Sequence, residues 1–212
     1  GASLVEAHGY KYTVGMPATL KGDILIMDTC TMTGAQITDL CGQAAISCVI
    51  DDLGERPVVC DYIINPNLYA SDVDYSQYQA RQIFHGPAHS LLSAEFFEKA
   101  AKPHKRSGVV ISFGGTDNGA LAATVAALLA QRTNEPIYVP IPEFLAPSSR
   151  LLDIAQLHSN VHPLIEPDMA SLLSGARIYV GAAGATLLEA LASGCAACVA
   201  ATQKDQLKNV AF

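Results

Sequence analysis

Short apolar runs alternate with amphipathic stretches along most of this chain. Runs rich in β-branched residues and bounded by turn formers read as strands; apolar residues recurring every three or four positions read as helices. In the second half the strands are Val109–Phe113, Ile137–Val139, Val161–Leu164, Arg177–Val180 and Ala197–Ala200. Between them lie helices at Ala120–Gln131, Arg150–Gln156 and Thr186–Ala192, and a short one capped by Asp168 after Pro167 and running to Ser174. In the first half Tyr12–Val14, Ile24–Met27, Ser47–Ile50 and Tyr62–Ile64 read as strands and Ile37–Gln43 as a helix. Such alternation predicts α/β architecture: parallel sheets with helices on both faces. Glu95–Ser107 is polar, basic and holds Pro103, so it reads as a linker between an N-terminal domain, residues 1–104, and a C-terminal one, 105–212. Leu4–Ala7 reads as the last turn of a helix that needs an earlier strand, and Lys204–Phe212 stops inside a helical pattern. The N-terminal domain is therefore expected to be incomplete, and the natural protein to extend past both ends.

Composition narrows the function classes. Half of the 212 residues are hydrophobic, enough for one large core or two small ones. The net charge of -7, with no basic cluster, speaks against nucleic acid and anionic membrane as partners. Apolar stretches break well before the ~20 residues of a membrane span, and no secretory leader is legible, so a cytoplasmic protein is expected. Six cysteines at 30, 41, 48, 60, 195 and 198 mostly sit in apolar runs, where a reduced thiol acts as a small hydrophobe. Cys195-Ala-Ala-Cys198 has redox or zinc spacing but no second pair, and a structural role is expected.

Three strand-to-helix loops carry candidate chemistry. The first holds Gly114, Gly115, Thr116 and Asp117; paired glycines allow a tight turn and close ligand approach, and the following helix start suits a phosphate. It is equally an ordinary turn with Asp117 or Asn118 as helix cap. The second, Gly181–Glu189, offers space around Gly184 and Ala185, a Thr186 that caps or donates to phosphate, and Glu189 one turn into the helix. That carboxylate completes a capping box or accepts both hydroxyls of a ribose. In the third, Gln206 and Asn209 present amides after the last strand, for a ligand or as a solvated helix start. All three follow strands of one parallel sheet, whose carboxyl edge is where open α/β sheets bind ligands. Neither the dinucleotide glycine pattern nor the Walker pattern is present.

In the first half Asp51 and Asp52 follow a strand, Arg56 comes shortly after, and Asn65 and Asn67 end the next strand. Carboxylates there could bind a metal; a simpler reading pairs Arg56 with an acid and fixes the loop. No metal and no cofactor is expected. Asp28, at a strand end, and His85 and His89, around Gly86-Pro87, are weak candidates for a catalytic group, with loop positioning the alternative for the histidines.

These residues, in this order, resemble the UDP-sugar hydrolases of pseudaminic acid biosynthesis. The resemblance runs from about Gly22 to the C-terminus and rests on Asp51-Asp52…Arg56…Cys60-Asp61…Asn65…Asn67, Gly86-Pro87…Leu91-Leu92…Glu95-Phe96, Gly114–Asp117, Gly181–Glu189 and Gln206…Asn209. It implies a GT-B-like pair of Rossmann-like domains, similar to the lipid II GlcNAc transferase, with UDP in the cleft held mainly by the C-terminal domain. It further implies metal-independent hydrolysis that frees a 2,4-diacetamido-2,4,6-trideoxy sugar, and a catalytic histidine loop that would precede Gly1. His89 and Ser93 stand where the family usually has Tyr and Arg, and Ala185-Thr186-Leu187-Leu188 departs from its usual Ser/Thr-Thr-aromatic order. Those departures touch the sugar side, with Asp51, Asp52, Arg56, Asn65 and Asn67 as sugar-side or structural residues. A glycosyltransferase using a UDP-sugar donor and a non-catalytic nucleotide-sugar-binding module are the alternatives; the lack of an apolar or basic acceptor patch favours hydrolysis over transfer to a lipid.

Overall fold

The structure, a computed structural model, describes residues 22, 24–100, 105–115, 117 and 119–211. The strand expected at Tyr12–Val14 and the turn at Leu4–Ala7 lie outside the described residues. The chain divides into two compact units: residues up to Ile64 with Asp74–Ile83, and Asn65–Val73 with Phe84 onward.

The first sheet has the order β1-β2-β3-β4, made of Ile24–Asp28, Ile46–Ile50, Tyr62–Asn65 and Gln82–His85. The β1–β2 and β2–β3 pairs are parallel, with Ile24 opposite Ile46 and Cys48 opposite Tyr62. Helix α1, Gly34–Cys41, begins earlier than the apolar period suggests. Thr33 accepts from the Gln36 amide and the Gln36 side chain accepts from the Thr33 amide, a reciprocal capping box. Ile37 and Cys41, one turn apart, bury against Met27, Val49 and Ile63 of the sheet.

The second unit is doubly wound. Its five strands are β5 (Val109–Ser112), β6 (Ile137–Ile141), β7 (Val161–Ile165), β8 (Ile178–Ala182) and β9 (Ala196–Ala200), in the order β7-β6-β5-β8-β9 and all parallel. The first strand of the unit sits in the middle because Val109, Val110 and Ile111 are apolar toward both faces, and only a central strand is covered on both. On one face α3 (Ala120–Ala130) and α4 (Ser149–Leu157) bury Ala122, Ala126, Leu151 and Ile154 against Val109, Ile111 and Val139. On the other, α2 (Ala94–Ala100), α5 (Met169–Gly175) and α6 (Ala185–Ala192) bury Phe96, Leu173 and Leu187 against Val110 and Tyr179. The C-terminal stretch forms α7, Leu207–Ala211.

Two expectations change. The stretch read as a linker opens with α2, whose Phe96 is buried and whose Lys99 pairs with Asp168, the residue that caps α5. That packing places α2 in the second unit, which begins well before residue 105. Cys198, read as a small hydrophobe within an apolar run, is exposed, on β9 at the edge of the described sheet. Cys195, by contrast, is buried and its thiol donates to the Leu173 carbonyl at 3.1 Å. All six cysteines are free. Among the described residues no helix is long and apolar enough to cross a membrane.

Candidate functional site

The strand order of the second sheet reverses direction between β5 and β8. Loops leaving those two strands diverge and open a crevice at the carboxyl edge, the usual ligand position of doubly wound sheets. Ser112 pairs with Gly181 there. The Tyr179 hydroxyl lies 3.0 Å from both the Ser112 and the Ala182 carbonyl oxygens. A β-carbon on Gly181 would stand 1.8 Å from the Ser112 oxygen, so only glycine lets the strands approach this closely.

A cleft of ≈ 300 Å³ lies along this edge. Ser112, Gly114 and Gly115 line it from β5; Pro140, Ile141, Pro142 and Phe144 from β6; Glu166, Pro167 and Met169 from the β7–α5 loop; Thr186 and Glu189 from α6. Gly114 has φ 100 and a β-carbon on it or on Gly115 would meet nothing within 4 Å. The glycine pair therefore leaves open space where side chains would fill the cleft.

Glu189 is the charged group of most interest. The α6 N-cap is Gly184, which puts Leu187 at the third helical position and Glu189 at the fifth. A capping box needs the acid at the third position, so the capping role is excluded on geometry. Thr186, at the second position, is no cap either. The Glu189 carboxylate is half-buried, and burial alone pushes its pKa up, with no described donor or cation offsetting the loss of solvent. Its charge in turn helps to raise the pKa of Tyr179, whose main cause is burial.

Other expected ligand contacts are committed to protein partners. Asp117 accepts from the amides of Ala120, Leu121 and Ala122 at 2.9, 3.3 and 3.4 Å. The chain's own carboxylate thus occupies the position at the start of α3 where a phosphate would sit. Asp117→Ala is expected to lower stability by about 1 kcal/mol, as loss of a helix cap does. Thermal melting of the variant beside the parent checks the loss, and an unchanged melting temperature would mean that Asp117 does not hold the start of α3. Asn209 is buried, accepts from the Leu68 amide, and donates to Asn67 Oδ1 at 2.8 Å and the Ala183 carbonyl at 3.1 Å. It supports the β8–α6 loop from behind rather than facing the cleft. Gln206 accepts from Thr202 through Oε1, while its Nε2 would lie 3.4 Å from a β-carbon on Gly184. Thr116 lies outside the described residues.

In the first unit Asp51 is 1% exposed and accepts from Tyr78 Oη at 2.8 Å and the Gly54 amide at 3.3 Å. Arg56 approaches it at 3.7 Å and donates to the Met32 carbonyl. Arg56 does pair with an acid and pin the loop, as the simpler reading has it, and the acid is Asp51; Asp52 is exposed. Asn65, fully buried, accepts from the amide and side chain of Asn67. Asp28 is exposed at the end of β1. His85 and His89 are exposed too, the latter with its ring 5.3 Å from that of Phe84, and neither is among the residues lining the cleft. Among the described residues no group of three or more His, Cys, Asp or Glu is placed to hold a metal ion.

Phe144, Glu166, Pro140 and Pro142 escape sequence reasoning. Glu166 has φ 43, a left-handed conformation rare outside glycine and asparagine, and nothing in its type announces it. No model of a known protein family matches the chain, and no curated protein matches it either.

Proposed function

We propose that this chain binds a nucleoside diphosphate sugar at the carboxyl edge of the second sheet and belongs to an enzyme that releases UDP from it. The observation that carries the reading is the half-buried carboxylate of Glu189 beside the Gly114–Gly115 gap, in one cleft at the strand-order switch. A carboxylate without a donor among the described residues, placed there, matches the paired hydroxyls of a ribose, which donate to its two oxygens. The open glycine backbone and Thr186 suit the diphosphate. Hydrolysis is what the resemblance to the UDP-sugar hydrolases implies: water attacks the anomeric carbon, the bond to the β-phosphate oxygen breaks, and UDP leaves. A GT-B-like two-domain enzyme acting on a 2,4-diacetamido-2,4,6-trideoxy sugar is the finer form of the same proposal.

The test is calorimetric. UDP is expected to bind the parent more tightly than NAD does. Hydrogen bonds to a charged group contribute roughly 1.5–3 kcal/mol each, so Glu189→Gln is expected to weaken UDP roughly tenfold or more. The same variant should melt higher than the parent at neutral pH. With its folded-state pKa raised, Glu189 favours folding only below the ordinary glutamate value of about 4.3, and that contribution is lost as pH rises through the raised value. The advantage of glutamine should therefore vanish near about pH 4. Unchanged UDP affinity in Glu189→Gln, or NAD bound more tightly than UDP by the parent, would sink the ribose role or the nucleotide reading respectively.

A further inference from the structure

Phe144 lines the cleft, yet it is 78% exposed and the ribose and diphosphate contacts make no use of it. Its setting is built rather than loose. The next residue, Leu145, packs against the core under the sheet, and the Leu145 amide donates to the Pro142 carbonyl at 3.0 Å, closing a tight turn. Glu166 braces that turn from the loop that follows β7: its carboxylate accepts from the Glu143 amide at 3.0 Å, while its own amide donates to the Ile141 carbonyl at 2.9 Å. It does so with φ 43, a conformation that a glutamate keeps only when its surroundings impose it. A strained residue thus holds an aromatic ring in water at the rim of a cleft walled by Pro140, Pro142 and Pro167. Rigid walls and an uncovered aromatic face suit a flat ring, which stacks on phenylalanine without demanding a fixed hydrogen-bond pattern.

We propose that Phe144 stacks on the base of the bound nucleotide and that Glu166 is the positioning residue that presents it. This rests on the nucleotide reading of the cleft. The base lies at the β6–β7 side, toward Phe144, and the ribose reaches Glu189 on α6. Covering the ring with the base removes from water an apolar surface that stands 78% exposed.

The experiment measures UDP and inorganic pyrophosphate binding by calorimetry, with melting temperatures, for the parent, Phe144→Ala, Phe144→Tyr and Glu166→Gly. Loss of stacking is expected to weaken UDP roughly tenfold in Phe144→Ala, while the ring-preserving Phe144→Tyr stays close to the parent. Pyrophosphate, which has no base, should bind parent and Phe144→Ala alike, and melting should not move because the ring is exposed. Glu166→Gly keeps the backbone conformation without strain but loses the brace, so it should melt no lower than the parent and still bind UDP more weakly. Parent-like UDP affinity in Phe144→Ala overturns the stacking and leaves the nucleotide site standing. An equal loss for pyrophosphate also overturns it, since the ring then serves something other than a base. A parent that binds no UDP removes the nucleotide reading and the stacking together.

Discussion

Gly181→Ala is expected to cripple folding of the second unit. The added carbon would lie 1.8 Å from the Ser112 oxygen and 2.6 Å from Tyr179 Oη, and the first of these is backbone in the central strand. A flexible side chain could swing away; a carbonyl locked into a parallel ladder with β8 has nowhere to go without breaking Ser112–Gly181 pairing. Overpacking of this kind costs about 3 kcal/mol or more. At roughly 2–4 °C per kcal/mol for a chain of this size, the melting temperature should fall by roughly 6 °C or more, or soluble protein should be lost. Gly175→Ala is the control: it makes the same chemical change where a β-carbon would meet nothing within 4 Å, and it should melt like the parent. Equal melting of the two variants would mean that β5 and β8 are not packed this tightly. The site depends on the result, because the crevice opens where those two strands part.

The second large effect is expected at Asp51. Asp51→Ala removes the acceptor of the Tyr78 hydroxyl and the counter-charge of a mostly buried Arg56. Burial, and next the hydrogen bond to Asp51, raise the Tyr78 pKa, so the phenol stays a donor throughout the ordinary pH range. Breaking a buried pair from one side costs roughly 3–5 kcal/mol, chiefly because the remaining charge is left uncompensated. Asp51→Asn keeps the shape and an acceptor for Tyr78, and should lose less. Adding Arg56→Met to Asp51→Ala removes the orphaned cation and should recover part of the loss. Urea unfolding of the three variants followed by circular dichroism gives the ranking; a double variant less stable than Asp51→Ala would show that the charge pair is not the source of the cost.

Much of the second unit is legible in the sequence because its signals are local. Val109–Ile111 is apolar without a break, as a strand covered on both faces must be, and Asp168 announces α5 three residues before the amide it accepts from, that of Ser171. The capping box of α1 is equally local, with Thr33 and Gln36 at the right spacing, though an apolar period starting at Ile37 hides it. Elements stabilised by distant partners are harder to read. β4 is four residues with two exposed positions, and α2 carries Glu95, Glu98 and Lys99 beside the one buried Phe96 that defines it. The same divide runs through the candidate site. Gly114, Gly115, Thr186 and Glu189 are legible because loops after parallel strands share an edge. The side-chain types of Asp117 and Asn209 fit a ligand as well as a protein partner; what commits them is which amides and carbonyls the fold brings within reach. Phe144 has no signature at all, since an exposed aromatic in a loop acquires meaning only from its neighbours.

Asn209 also bears on the order in which the molecule is built. It receives the Leu68 amide and holds Asn67 across 141 and 142 positions of sequence. The segment Asn65–Val73 therefore leaves the ribosome long before the residue that satisfies it. At 5–20 residues per second the wait is roughly 7–30 s. During it the first unit has its own core available, whereas the second has to keep an early segment unclaimed until α7 arrives. Contacts of such sequence separation slow folding through the entropy of closing the intervening loop. The second unit should accordingly be the slow step of refolding, and the one that depends more on a chaperone during synthesis.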